Sequence, residues 1–371
     1  MDYYPDSYKA SRERFQQSLS LLQSKWPDAH LERHPSADQP DLSIDWLWAD
    51  ARQKKNLVIV TTGLHGIEGY VGSAVQKLFL DEFMPRLDPE NTGLLLVHAI
   101  NPWGMQQRRR YNENNVDLNR NFIWDEHFKP ELNPDYDLLV PLLNSPRPLG
   151  SLFLSDVAFI MRLLVSLVRL GVTRIRLGML SGQYRQPRGV QFGGQATQQS
   201  TRVMRNLFAQ AFEAYEQVIH IDLHSGYGPR YQMSMVNATR EPAPASELMQ
   251  RFGYPLIVAA NPSDFYTVIG DITEYIYQLR DEKYPSRQLF GTCFEFGTFG
   301  DSLLMQIRSM RATILENRVY QYGAKSRAAE RKVKKEYGEL FFPSESRWRE
   351  KVMDDARQAF AGILGAYELF D

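Results

Sequence analysis

Gly63-Leu64-His65-Gly66-Ile67-Glu68-Gly69 directly follows the apolar run Leu57-Val58-Ile59-Val60. A short apolar run that ends in glycines reads as a buried strand closing in a tight turn. If that turn opens a helix, His65 and Glu68 share one face and can converge on a single metal ion, which an extended segment would not allow. Two histidines and one glutamate form a catalytic zinc set whose fourth position stays open for water. The chain supplies the second histidine in Asp222-Leu223-His224-Ser225-Gly226. An isolated His-x-x-Glu more often decorates a solvated helix face, so the weight falls on what surrounds it.

Composition sets loose bounds. The 371 residues could form one large α/β domain or two smaller ones, and 43% hydrophobic with 12% aromatic residues leaves ample material for a core. A formal charge of −1 argues against a nucleic-acid partner held by bulk electrostatics. No apolar run is long enough to cross a bilayer, so no membrane partner is expected. Met1-Asp2-Tyr3-Tyr4-Pro5-Asp6 lacks the pattern of a secretory signal. Cys293 is the sole cysteine, so an intrachain disulfide is impossible and a reducing, cytoplasmic setting is expected. The oligomeric state is left open.

Along the chain, residues 7–24 read as an amphipathic helix, and Ile44, Trp46 and Trp48 as one side of a partly exposed early strand. A strand at 57–61, a helix at 67–83 and a strand at 94–100 follow. Residues 125–150 are proline-rich and loop-like; an apolar helix at 154–170 is expected to stop at Gly171. The Gln- and Gly-rich stretch 182–200 reads as a long surface loop. A helix at 200–216 leads into a strand at 217–223, with further strands at 232–237 and 292–296. The basic segment 311–335 reads as a solvated helical face. Strands alternating with helices predict an α/β fold, a three-layer sandwich with a mixed, largely parallel central sheet. Ligands of such sheets sit beyond the carboxyl ends of the strands, where His65, His224 and Glu295 fall. The organisation expected is one catalytic domain over 1–371, with an insertion or lid at 125–200 and a helical part at 303–371.

Asn101-Pro102-Trp103-Gly104 is followed by Arg108-Arg109-Arg110-Tyr111 and then by Val116-Asp117-Leu118-Asn119-Arg120-Asn121-Phe122. This segment resembles the Asn-Pro-Asp-Gly … Val-Asp-Leu-Asn-Arg-Asn-Phe stretch of the zinc carboxypeptidases related to carboxypeptidase A. The motif order is also similar: His-x-x-Glu, the Asn-Arg segment, a lone His after a strand, and a Glu in a late strand. The Arg-Tyr and Asp-Leu-Asn-Arg elements are similar to those of aspartoacylase and succinylglutamate desuccinylase. The resemblance spans 63–299. It implies that His65, Glu68 and His224 hold one zinc ion, with other divalent metals able to replace it. It also implies that Asn119 and Arg120 grip a substrate carboxylate, that Arg110 stabilises the oxyanion, and that Glu295 is the general base. Trp103 departs from the pattern, and Arg108 and Arg109 are adjacent candidates for the role of Arg110.

The chemistry is consistent with those roles. A guanidinium presents paired donors matched to a carboxylate, which lysine cannot reproduce. His220, Asp222 and His224 alternate on one strand, so Asp222 or His220 can support His224; a second metal held partly by them is the alternative. Glu295 lies between Phe294 and Phe296, expected to shield it, and Cys293 on its own face reads as an inert buried thiol. Tyr266, Tyr275 and Tyr277 are candidates to touch substrate, and His30, His34, His98 and His127 read as structural or surface residues. The function expected is hydrolysis of an amide bond beside a carboxylate, on a peptide or an N-acyl amino acid. A metal- or peptide-binding protein without catalysis is the competing class, and no phosphate-cradling glycine loop supports nucleotide binding.

Overall fold

The computed structural model describes residues 3–36, 39–259 and 269–370. Helix α1 (Tyr8–Gln23) begins at Ser7, whose hydroxyl accepts from the Ala10 N–H. Strands β1 (His30–Pro35), β2 (Ser43–Ala49) and β3 (Asn56–Thr62) follow, and a 3-10 turn at Gly66–Glu68 runs directly into α2 (Gly69–Glu82). Next come β4 (Thr92–His98), the short α3 (Pro102–Gln107), α4 (Asp135–Leu143), α5 (Leu152–Leu180) and α6 (Gln199–Ala214). The second half holds β5 (Gln217–Gly226), β6 (Met233–Asn237), α7 (Ala245–Phe252), β7 (Ile257–Ala259), α8 (Ile272–Lys283) and β8 (Gln288–Gly297). It ends in α9 (Leu303–Tyr322), α10 (Arg327–Phe341) and α11 (Ser346–Ala366).

Among the described residues the strands form one sheet in the order β1-β2-β4-β3-β5-β8-β6-β7. Its centre, β4-β3-β5-β8, is parallel, and β1, β2 and β6 add antiparallel pairs. The period-two pleat sends Val58, Val60, Ile219, Ile221, Phe294 and Phe296 to one side, where α1, α2, α7 and α11 cover them. Leu57, Ile59, Leu95, Val97 and Val218 face the other side, under α6 and α8. The fold is thus a three-layer α/β sandwich with a mixed sheet. From β3 the strand order steps outward to β4 on one side and β5 on the other. That divergence leaves a crevice at their carboxyl ends, where His65 and His224 stand.

Several local expectations are corrected. Strand β2 is wholly buried rather than partly exposed, because β1 pairs along its outer edge and Trp46 and Trp48 pack in the cluster that contains α6. The proline-rich stretch 125–150 contains α4, with Pro141 inside it. Gly171 does break the helix, with φ 75° and ψ 166°, yet the helix resumes to Leu180. Packing explains the restart: Ile175 joins the cluster formed with α4, and a Cβ on Gly178 would lie 2.8 Å from Leu139. The stretch 182–200 is no surface loop. Gln183, Tyr184, Val190, Gln191 and Phe192 are buried, and side-chain amides replace the water its backbone would need. Asn115 donates to the Pro187 and Gly189 carbonyls, and Asn121 to those of Gly193 and Ala196. The segment 311–335 is only partly a solvated face, because α9 buries Met310, Ala312, Ile314, Leu315, Glu316 and Asn317.

The turn that carries His65 is wedged against α3. The Gly66 and Ile67 N–H groups donate to the Arg110 and Arg109 carbonyls at 3.2 and 2.8 Å. A Cβ on Gly66 would lie 2.1 Å from the Gly104 carbonyl carbon, a backbone atom that cannot rotate away. Gly66→Ala is therefore expected to cost about 1–3 kcal/mol, the range for overpacking a tight site. Urea unfolding measures it, and an unchanged midpoint would show that the two turns do not abut.

Candidate metal centre and active site

His65, Glu68 and His224 come from two local structures that the fold brings to one point. His65 is the last extended residue before the 3-10 turn, Glu68 ends that turn, and His224 is near the end of β5. His65 Nδ1 lies 2.9 Å from Glu68 Oε1, His224 Nδ1 lies 2.9 Å from Glu68 Oε2, and the two Nδ1 atoms are 3.2 Å apart. All three side chains are buried. The far nitrogen of each ring faces a carboxylate: His65 Nε2 lies 3.1 Å from Asp117 Oδ1, and His224 Nε2 2.6 Å from Asp222 Oδ2.

Those outer carboxylates accept the Nε2–H protons, which assigns both rings the tautomer whose Nδ1 carries a lone pair. With both rings neutral, the two Nδ1 lone pairs converge on the Glu68 carboxylate, whose oxygens also accept from the Ser225 N–H and Arg110 Nη1. That donor set fits a divalent cation, since imidazole nitrogens and carboxylate oxygens are zinc donors. Although burial opposes it, Asp222 and Glu68 hold His224 well above the usual imidazole range, and a bound cation would take the place of that proton. The carboxylate behind each ring is the support that metal-ligating histidines ordinarily have. Although burial raises them, Glu68 and Asp117 stay below the usual carboxylate range. His65 and His224 hold Glu68 down, while Arg110 and His65 hold Asp117 well down.

A cavity of ≈ 360 Å³ opens beside this cluster. Its polar end holds Arg110, Asn119, Arg120, Tyr227, Asp271, Cys293 and Glu295; its apolar end is Leu163, Leu167, Val172, Ile175, Met179 and Leu180 of α5 with Ile307 and Met310 of α9. Glu295 pairs in register with His224 across β5 and β8, and its Oε1 accepts the Tyr227 N–H at 3.0 Å. Burial, then the neighbouring Glu68 carboxylate, push Glu295 up to about 7. Its phenylalanine neighbours do not shield it: the pleat turns Phe294 and Phe296 to the opposite face of the sheet. Cys293 lines the cavity, and burial pushes its thiol well up, with Glu295 adding to the shift, so it stays protonated.

The arginine run is sorted by burial. Arg108 donates to the Asp6 carbonyl and lies over Tyr70, away from the cavity. Arg109 is buried on Glu316 at 2.8 Å and donates to Asn115 and Asn317, a structural ion pair. Arg110 lines the cavity; its Nε reaches Asp117 Oδ2 at 2.9 Å and its Nη1 reaches Glu68 Oε1 at 3.3 Å. Arg120 is 3% exposed, and among the described residues no carboxylate lies within ion-pair distance of it. Its Nε and Nη2 donate to the Leu180 carbonyl and its Nη1 to the Asn119 carbonyl, which leaves one N–H on each terminal nitrogen. A Cβ on Gly182 would lie 2.6 Å from Arg120 Cδ, so the turn after α5 closes directly on this side chain. The Asn119 amide is largely committed: it donates to Asp271 Oδ2 and accepts the Ile272 N–H at the start of α8.

Other expectations fare differently. Tyr275 packs against Phe122 and Trp124, and Tyr277 bonds Glu241, so neither reaches the cavity; Tyr266 lies outside the described residues. The tyrosine that lines the cavity is Tyr227, whose hydroxyl accepts from Arg176 at 3.1 Å. Thr61 bridges His220 Nε2 at 2.9 Å and Asp222 Oδ1 at 2.6 Å, and no potential metal cluster among the described residues includes either of those two side chains. His98 is buried against Ser11, while His30 and His127 are exposed beside acids. Sequence reasoning missed Asp117 as the support of His65. Its signal was present, a carboxylate between Val116 and Leu118 in an apolar setting that would be costly to bury unpaired.

The family described as "Protein of unknown function (DUF2817)" matches residues 4–355, and the chain belongs to it. No curated protein matches the chain in sequence. Among solved structures, the chain is similar to bovine thrombin-activatable fibrinolysis inhibitor in complex with tick carboxypeptidase inhibitor, at 13% identity over 86% of this chain and 97% of that one, TM-score 0.47. It is similar to carboxypeptidase A from Helicoverpa armigera at 14% identity over 90% and 73% of the two chains, TM-score 0.46. A protein assigned to the succinylglutamate desuccinylase / aspartoacylase family from Shewanella amazonensis SB2B matches at 19% identity over 79% and 72%, TM-score 0.39. Overlaps this loose carry no chemistry across, and the atoms of the site have to speak for themselves.

Purified protein is expected to hold about one zinc, or a divalent substitute, per chain. His65→Ala and His224→Ala are each expected to lose most of it. Asp117→Asn and Asp222→Asn are expected to keep the ligands yet weaken affinity by about 10- to 100-fold in chelator competition. Full retention in both histidine variants would remove the metal centre.

Proposed function

We propose that the chain is a zinc-dependent hydrolase that cleaves an amide bond next to a substrate carboxylate. The observation that carries this reading is the convergence of two imidazole Nδ1 atoms and the Glu68 carboxylate, each ring backed by a buried acid, at the head of the cavity that also holds Glu295 and Arg120. His65, Glu68 and His224 would hold the ion. A divalent cation there supplies Lewis acidity, which polarises a carbonyl and makes water a better nucleophile near neutral pH.

The chain's own residues supply the rest. Arg120 receives the substrate carboxylate on its two uncommitted N–H groups, and Asn119 chiefly holds α8 in place beside it. Arg110, fixed by Asp117, offers Nη2 donors to the oxyanion that forms when water adds to the carbonyl carbon. Glu295 takes the proton that water gives up and delivers it to the leaving nitrogen as the C–N bond breaks. A carboxylate near 7 suits both halves of that transfer, because it can accept a proton and release it again. The segment 125–200 acts as wall and lid, through α5 and the turn at Gly182.

A peptide whose terminal residue carries the recognised carboxylate is the first substrate class. The apolar wall from Leu163 to Met310 favours a second, an N-acyl amino acid whose acyl chain lies along α5. A panel of dipeptides and N-acyl amino acids offered to the zinc-loaded protein distinguishes them.

Glu295→Gln keeps shape and removes the base; it is expected to bind metal normally and lose about 10²–10⁴-fold in turnover. A variant that also lost its metal would instead make Glu295 a ligand. Arg120→Lys keeps the charge but not the fork, so it is expected to raise KM for carboxylate substrates well above any effect on their amidated forms. Equal turnover of free and amidated substrates by the native protein would make Arg120 structural.

A further inference from the structure

Helix α5 is apolar on both sides. Phe159 and Leu163 face inward to α4 and α9, yet Phe153, Val157, Ile160, Met161, Leu164 and Val168 form an outward stripe at helical spacing. Phe153 is 72% and Val168 89% exposed. A helix that is apolar all round is normally buried, and among the described residues nothing covers this stripe.

The charges beside the stripe indicate what covers it. Arg162 and Arg169 flank it, both exposed, and neither is in an ion pair among the described residues. Next to the N-terminal half of α5 lies a second cavity, of ≈ 440 Å³, lined by Arg147, Arg162, Arg311, Arg318 and Lys325 against one acid, Asp156. Arg311 is already held by that acid at 2.7 Å and by Glu336 at 2.6 Å, which leaves Arg147, Arg162, Arg318 and Lys325 without an ion pair among the described residues. Arg318 donates only to uncharged oxygens, the Arg147 and Pro148 carbonyls and the Ser155 hydroxyl. Burial, then the neighbouring Arg162, lower the affinity of Arg318 for its proton, which an anion in the cavity would reverse. Leu154 belongs to both features, since it lines the basic cavity and is 65% exposed beside the stripe. Cations that gather here in a chain of net charge −1 are a local concentration.

We propose that α5 is a membrane-surface helix, which seats its apolar stripe in the interface of an anionic phospholipid bilayer and receives lipid phosphates in the adjoining Arg/Lys cavity. An interfacial helix needs an apolar face and flanking cations, and it needs no run long enough to span. The lack among the described residues of a helix long and apolar enough to cross a membrane therefore does not bear on it. A second copy of the chain is the less suitable cover, because pairing two stripes would bring the Arg162 and Arg169 of each copy towards one low-dielectric seam. The inference stands on α5 and the basic cavity alone and does not depend on hydrolysis.

Co-sedimentation of the full chain with vesicles tests it, comparing phosphatidylcholine alone with phosphatidylcholine containing phosphatidylglycerol. Native protein is expected to bind the anionic vesicles about tenfold or more above the neutral ones, and less as salt rises. Leu164→Asp with Val168→Asp, both on the solvent side and so harmless to the core, is expected to abolish binding while the melting temperature holds. Arg162→Gln and Lys325→Gln are each expected to weaken the anionic preference about fivefold. Failure of the native chain to sediment with anionic vesicles overturns the proposal, as does equal sedimentation of native protein and the double aspartate variant. A native dimer that the aspartates convert to monomer, with no change in vesicle binding, would assign the stripe to self-association and overturn it equally.

Discussion

The buried carboxylate of Asp117 ties the site together. One oxygen faces His65 Nε2 and accepts the Asn119 N–H; the other accepts Arg110 Nε. A fully buried carboxylate is tolerable only if opposite charge and donors surround it, and here the guanidinium and the imidazole of the site itself meet that demand. The orientation of His65, the placement of Arg110 in the cavity and the start of the turn that carries Arg120 therefore depend on one side chain. Asp222 does the same for His224, with Thr61 fixing its other oxygen.

Behind the helices and strands that line the cavity lies buried irregular chain, and irregular chain can be buried only where its polar groups find partners. Asparagines do this repeatedly. Asn101 caps α3 and reaches the Arg110 carbonyl; Asn115 and Asn121 hold the 182–198 stretch; Asn133 donates to the carbonyls of Gly178 and Gly182 at the end of α5. The loops behind the cavity are thus held by side-chain amides where strands would be held by their ladders.

Helix α5 links the two halves of the molecule's chemistry. Its inner face builds the apolar wall of the cavity, its last carbonyl fixes Arg120, and its outer face is left apolar and flanked by cations. Under the proposed function, an amphiphilic substrate with a carboxylate at one end and an apolar group at the other would match this arrangement.

The sequence by itself determined the strand-turn-helix that presents His65 and Glu68, the alternation that points His220, Asp222 and His224 to one side, and the three-layer α/β class. These are period-two, period-3.6 and glycine signals, local in the chain and insensitive to what packs around them. It did not determine which arginine of Arg108-Arg109-Arg110 enters the site, because three adjacent guanidiniums are separated only by the partners that distant elements bring. Arg109 is taken by Glu316 of α9, more than 200 residues away in the chain. Nor could it place Phe294 and Phe296 behind the sheet from Glu295, bury β2, restart α5 after Gly171 or recruit the 182–200 stretch into the wall. Each of those outcomes depends on contacts between segments far apart in sequence, and only the tertiary structure decides such contacts.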